Sequence, residues 1–166
     1  MVIPLIFMCC ARQTGETSKG HGASNPKEIG FQLYSSFKEN NFSSLTYYTP
    51  DSQTITTYYE ITTAQEVADT RRNIRHYAQH ITEKLRLKFH EARKQADSLG
   101  MVWKLAVLDS VNVHQSENTS RFVRLYVDVN SSTHNGRILS KCVKINDMWF
   151  LSKDLQYRAI NKSSDE

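Results

Sequence analysis

The residues able to do chemistry in this chain are few and far apart. Asp109 is the one carboxylate that shares alternating parity with Trp103, Leu105, Val107, Val111 and Val113. A carboxylate on an apolar strand face could act as a general base once burial shifts its proton affinity. Such a base usually needs a second polar group to hold developing charge, and His114 and Asp128 both fall on the opposite parity. The plainer reading sets Asp109 at a strand end or bulge, facing water; no catalytic residue is assigned, and Asp109 is the sole candidate. His76 and His80 have the spacing of two metal ligands on a helix, but they lie about 200° round from Ile74, on the solvent side. With no third ligand in view, no metal site and no cofactor are assigned. Arg71, Arg72 and Arg75 form a basic turn offset by Glu66 and Asp69, which reads as a solvated face. Tyr58, Tyr59 and Tyr77 could line the mouth of a pocket, although helix tyrosines commonly pack with the hydroxyl wet.

The elements that must position these residues begin with the stretch from Trp103 to Tyr157, in which four apolar-alternating segments follow one another. The first runs from Trp103 to Val113, with a polar loop from His114 to Ser120. In the second, Val123, Leu125, Val127 and Val129 share one face and Arg124, Tyr126 and Asp128 the other. The third sets Leu139, Val143 and Ile145 against Ile138, Ser140, Cys142 and Lys144, and the fourth groups Trp149, Leu151 and Leu155. On that dry face the charged exceptions are Lys141 and Lys153, whose stems can reach solvent. Asn135-Gly136 suits a hairpin between the second and third segments, and Asn146-Asp147 does the same between the third and fourth. An antiparallel meander of four strands is predicted, with Trp149 buried on its dry face.

Ahead of the sheet, Asn25 and Pro26 start a helix whose stripe is Ile29, Leu33 and Phe37, and Asn40-Asn41 ends it. A short helical turn from Phe42 stops by Thr49-Pro50. From Asp51 to Thr63 a loop, a short helix and a strand all remain open. Ala64 to Leu99 carries apolar residues at helical spacing (Val67, Ile74, Ala78, Ile81, Leu85, Phe89, Ala92, Ala96, Leu99), so it forms an amphipathic helix with a break, stopped at Gly100. Packing on the sheet uses this stripe; a homodimeric coiled coil is its alternative use.

A chain of 166 residues, 39% of them apolar, supports one core. Its net charge of +4 would attract anionic surfaces, but cations and carboxylates are interspersed along the sequence, so no specific nucleic-acid binding is expected. Residues 1–10 are apolar, residues 11–24 form a polar linker, residues 25–160 form a single α+β domain, and 161–166 is a polar tail. Ten residues are too few to span a bilayer, which takes roughly 20. The segment resembles the end of a bacterial lipoprotein signal, which implies lipidation at Cys9 or Cys10, although the residues just before either cysteine are bulkier than the usual small ones. Cys142 is the third cysteine, and no metal or redox spacing joins it to the pair.

Two stretches resemble the nuclear-transport-factor-2-like superfamily, a cystatin-like α+β cone, and especially its small bacterial lipoproteins with no assigned function. Glu28 to Leu45 resembles the family's opening helix and following turn, and Asn146 to Ser152 its closing strand. The resemblance implies N-terminal helices packed on a curved antiparallel sheet of about four strands, cone-shaped. It leaves function open, because one fold hosts many activities. The expectation is an exported, lipid-anchored, non-catalytic domain of the cell envelope that binds a small apolar ligand or an envelope protein. The alternatives are an isomerase or hydrolase using Asp109 as base, and a scaffold subunit of a secretion apparatus.

Overall fold

The computed structural model describes residues 21–62, 74–116 and 119–160. Three α-helices among these residues precede the sheet: α1 (Pro26–Glu39), α2 (Ser52–Thr62) and α3 (Ile74–Ser98). The strands β1 (Val107–Ser116), β2 (Thr119–Asn130), β3 (Asn135–Ile145) and β4 (Met148–Ala159) pair antiparallel in the order of the chain. The fold is α+β, with the helices N-terminal to a single open four-stranded sheet.

Local chemistry sets the helix boundaries. The Asn25 side chain accepts from the Lys27 N–H at 2.9 Å, Pro26 opens α1, and Asn40 closes it in the left-handed region at φ 52°. A 3₁₀ segment, Phe42–Tyr48, follows, capped by the Asn41 side chain. Asp51 accepts from the Thr54 N–H at 2.8 Å and so caps α2, which resolves the open reading of that stretch as helix. Helix α3 ends in a Schellman motif: the Met101 N–H reaches the Ala96 carbonyl, the Gly100 N–H reaches Asp97, and Gly100 takes φ 93°. The stripe of α3 buries Leu85, Phe89, Ala92 and Ala96, whereas Leu99, expected to continue it, is exposed. Val67 lies outside the described residues, as do the side chains of Ile74 and Ala78.

The main core lies between one sheet face and the helices, where Ile29, Leu33 and Phe37 of α1 and Leu85 and Phe89 of α3 meet Val123, Leu125, Val127 and Val129 of β2. Phe37 and Phe89 pack edge to face at 4.7 Å between ring centres. Arg93 of α3 donates to the Phe37 carbonyl, bonds Asp97 at 3.2 Å and lies over the Trp103 ring at 4.8 Å, so its guanidinium joins both helices to the chain entering the sheet.

Several expectations for the sheet are corrected. Trp103 to Leu105 is a 3₁₀ turn, and β1 starts at Val107. A bulge in β1, where Leu108 faces Val129 and Ser110 faces Asp128, then shifts the parity. Leu108, Val111 and Val113 thereby face the core while Leu105 and Val107 are exposed. The strands β1 and β2 run up to Ser116 and from Thr119, so His114 and Gln115 are paired strand residues instead of loop. On β3 the row in the main core is Ile138, Ser140 and Cys142, because Ile138 pairs with Val127, Ser140 with Leu125 and Cys142 with Val123. Val143 and Ile145 do share a face, but with Phe150 they form a second small cluster, packed with Tyr58, Phe122 and Met148. The end of the β3–β4 hairpin is thus buried on both faces. Leu139 and Lys141 face the other way from the main core, and Lys141 is exposed.

Asn135-Gly136 is not the turn; Asn135 already pairs with Asn130, and residues 131–134 make the connection, with the Ser131 N–H donating to the His134 carbonyl at 2.8 Å. Asn146-Asp147 is a turn, both residues taking positive φ (47° and 62°). Trp149 is half-buried against the core. His21–Ser24, expected in the linker, lies along the sheet: Ala23 is buried and exchanges backbone hydrogen bonds of 2.9 and 2.7 Å with Trp149.

Candidate functional site

Asp109 stands at the β1 bulge with its side chain exposed. It is solvated where a general base of the kind considered above would need burial. His80 is exposed on α3, and the side chains of Arg75, His76, Tyr59 and Tyr77 lie outside the described residues, as do Cys9, Cys10, Arg71 and Arg72. Among the described residues no group of three His, Cys, Asp or Glu side chains is placed to hold a metal ion, and no helix is long and apolar enough to cross a membrane.

Cys142 is a free thiol sealed in the main core, and burial pushes its pKa up to about 12. It is therefore a small apolar core residue and a poor nucleophile. Ser140, its neighbour on the same row, is buried because it pairs with Leu125 on the core face, and β4 bulges beside it, opposite Lys141. The Ser140 hydroxyl donates to the Asp154 carbonyl at 3.0 Å, satisfying an acceptor at the break in the ladder.

One apolar cavity opens beside the small cluster. It has a volume of about 180 Å³ and lies where Ile55 and Tyr58 of α2 and Ile81 of α3 approach Phe122, Val143 and Ile145. Leu151 adds to its lining, and Ser152 and Lys153 supply polar atoms. Of the three tyrosines considered above for such a mouth, Tyr58 stands there. The cavity lies beside the end of β3 that is apolar on both faces, with Cys142 in the main core and Val143 and Ile145 in the small cluster.

At the opposite end of the hairpin, Tyr157 is almost fully buried, and its hydroxyl, Trp103 Nε1 and His134 Nε2 have no hydrogen-bond partner among the described residues. Burial, with the Asp97 carboxylate adding to it, pushes the Tyr157 phenol up to about 12.

The sheet face turned away from the core carries a wider groove of about 370 Å³. Strand pairing assembles it in three rows. Arg124 lies beside Lys141, Tyr126 beside Leu139 and Gln156, and Asp128 beside Arg137 and Arg158. Arg137 holds Asp128 through two bonds of 2.5 and 2.9 Å, Ser110 adds a third at 3.1 Å, and Lys141 pairs with Asp154 at 3.0 Å. The cations were legible one by one in the sequence, but their grouping depends on the register.

No protein-family model, no curated protein and no solved structure matches this chain.

Proposed function

We propose that this chain is an exported, lipid-anchored, non-catalytic domain of the cell envelope that holds a small apolar ligand in the cavity beside α2. The observation that carries the ligand is the cavity itself: about 180 Å³, walled by Ile55, Tyr58, Ile81, Phe122, Val143 and Ile145. A closed apolar cavity of roughly 150 Å³ binds benzene, and this pocket, open to solvent on one side, has room for a ligand of one ring or a short branched chain. Lys153 at its lining would meet a carboxylate on that ligand. The anchor rests on the resemblance of residues 1–10 to a lipoprotein signal, with Cys9 or Cys10 as the modified residue. The non-catalytic reading rests on the exposure of Asp109 and on the inert burial of Cys142.

Thermal unfolding in the presence of indole and of benzoate tests the ligand. A ligand at 100 times its Kd raises stability by about 2.7 kcal/mol, enough to move the midpoint by several degrees. Ile81→Trp, which fills the cavity from a partly exposed position, should abolish that shift without unfolding the domain. No shift for any small aromatic or branched aliphatic probe defeats the reading. The anchor is checked separately: full-length protein expressed in a bacterial host should partition into detergent, and Cys9→Ser with Cys10→Ser should release it. Partition into the aqueous phase by the unaltered chain would refute the anchor.

A further inference from the structure

We infer that the open sheet face is a docking surface for an extended acidic peptide, a segment of a partner protein with carboxylates at positions i and i+4 and an apolar residue at i+2. The face carries the cations Arg124, Arg137, Lys141 and Arg158 against the carboxylates of Asp128 and Asp154. Asp128 is taken up by Arg137 and Asp154 by Lys141. Among the described residues Arg124 has no carboxylate partner, and Arg158 reaches only the Gln156 side-chain oxygen at 3.3 Å. The face therefore keeps a surplus of two positive charges, half of the net +4 of the whole chain.

The spacing selects the form of the occupant. Arg124 and Asp128 are four residues apart on β2, and Arg158 shares a row with Asp128 through Arg137. Four strand residues span about 13 Å, and β2 lies two strand spacings, about 9.5 Å, from β4. A single small anion cannot reach both free guanidinium groups. Along and across the strands together, the backbone positions of Arg124 and Arg158 are about 16 Å apart. An extended chain lying obliquely over the strands presents side chains i and i+4 on one face about 13 Å apart, and the flexible arginine stems close the remaining gap. The residue at i+2 then meets the middle row, where Tyr126 and Leu139 are half-buried and Gln156 offers an amide. The bulge of β4 opposite Lys141 lies beside this groove and interrupts the regular ladder there.

The same residues argue against a single-stranded nucleic acid. That recognition stacks bases on open aromatic faces. The Tyr126 ring is already engaged, with the Arg137 guanidinium over it at 5.2 Å and the His114 ring at 4.7 Å. Carboxylates, in contrast, suit the forked donors of arginine. This groove lies on the same outer face as the apolar cavity, whose Phe122 and Val143 form the row next to Arg124 and Lys141, but its charged side chains are not part of the cavity wall.

Fluorescence polarisation with a labelled peptide bearing glutamate at i and i+4 and leucine at i+2 tests the inference. Its comparison is a peptide of equal composition with the glutamates adjacent. The patterned peptide should bind the full chain more tightly at low salt and weaken as ionic strength rises. Arg124→Glu with Arg158→Glu should weaken it by about tenfold or more, since two attractions become two repulsions. Arg124→Gln with Arg158→Gln should have a smaller effect in the same direction, and unchanged thermal midpoints would show that both pairs of variants stay folded. Equal binding of the two peptides, insensitivity to both double variants, or absence of binding overturns the proposal. So does tighter binding of a single-stranded oligonucleotide, or of polyphosphate, at matched charge.

Discussion

Gly136→Ala should be among the costliest single-methyl additions this fold can suffer. Gly136 is buried on β3, and its φ is not in the left-handed region, so the backbone itself would accept alanine. The obstacle is Tyr157: a Cβ at position 136 would fall 1.8 Å from its Oη, 2.2 Å from Cζ and 2.7 Å from Cε2. The ring has little room to retreat, being 1% exposed and flanked by Trp103 at 6.3 Å and His134 at 6.1 Å between centres. Overpacking of this kind costs about 1 to 3 kcal/mol, occasionally more, and alanine returns about 0.5 to 1 kcal/mol of backbone entropy relative to glycine. Expelling the ring instead would forfeit the burial of about 150 to 250 Å², roughly 4 to 6 kcal/mol as an upper bound. Overpacking is the cheaper response, so a net loss of about 1 to 2.5 kcal/mol is expected, read as a lower urea midpoint at unchanged slope, together with a changed near-ultraviolet signal from Trp103. Tyr157→Leu in the same chain should recover part of it as a coupling energy of about 1 kcal/mol or more. A loss below about 1 kcal/mol for Gly136→Ala would show that the Tyr157 ring is not fixed in this slot.

Tyr157→Phe removes a buried hydroxyl that has no partner among the described residues, so it should be neutral or stabilising by about 1 kcal/mol in urea unfolding at neutral pH; a clear loss would mean the hydroxyl is bonded. The same variant should blunt alkaline denaturation. Burial pushes the phenol from the ordinary tyrosine range up to about 12, so the folded chain holds this proton longer than the unfolded one, and wild-type stability should fall from pH 10 through 12 more steeply than in Tyr157→Phe. Cys142 should react with a thiol reagent only as fast as the domain opens, and rapid native-state labelling would contradict its burial. Ser140→Ala should cost about 1 to 2 kcal/mol by orphaning the Asp154 carbonyl, and an unchanged midpoint would show that water serves that group equally well.

The parts of this fold that were legible in sequence are those fixed by a few adjacent residues. Asn25-Pro26 and Asn40 bound α1, Gly100 ends α3 and Asn146-Asp147 turns the last hairpin, each through a local hydrogen bond or a positive φ. Parity, by contrast, is carried forward from residue to residue, and one bulge at Asp109 is enough to exchange Val107 for Leu108 on the core side. On β3 the alternation is ambiguous, because Cys142 and Val143 are both buried, one in each cluster, and the polar Ser140 takes a core position beside the β4 bulge, where its hydroxyl meets the Asp154 carbonyl. Gly136 belongs to a pair that signals a turn, yet here the missing side chain makes room for Tyr157, 21 positions later. Both candidate surfaces follow from that register. A slip of β3 by one residue against β2 would bring Arg137 and Lys141 into the core and send Ile138, Ser140 and Cys142 outward. The pairing that groups the cations opposite Arg124 and Asp128 is therefore the one that buries Ile138 and Cys142. Core substitutions on β3 that loosen this register should weaken binding at the open face before they unfold the domain.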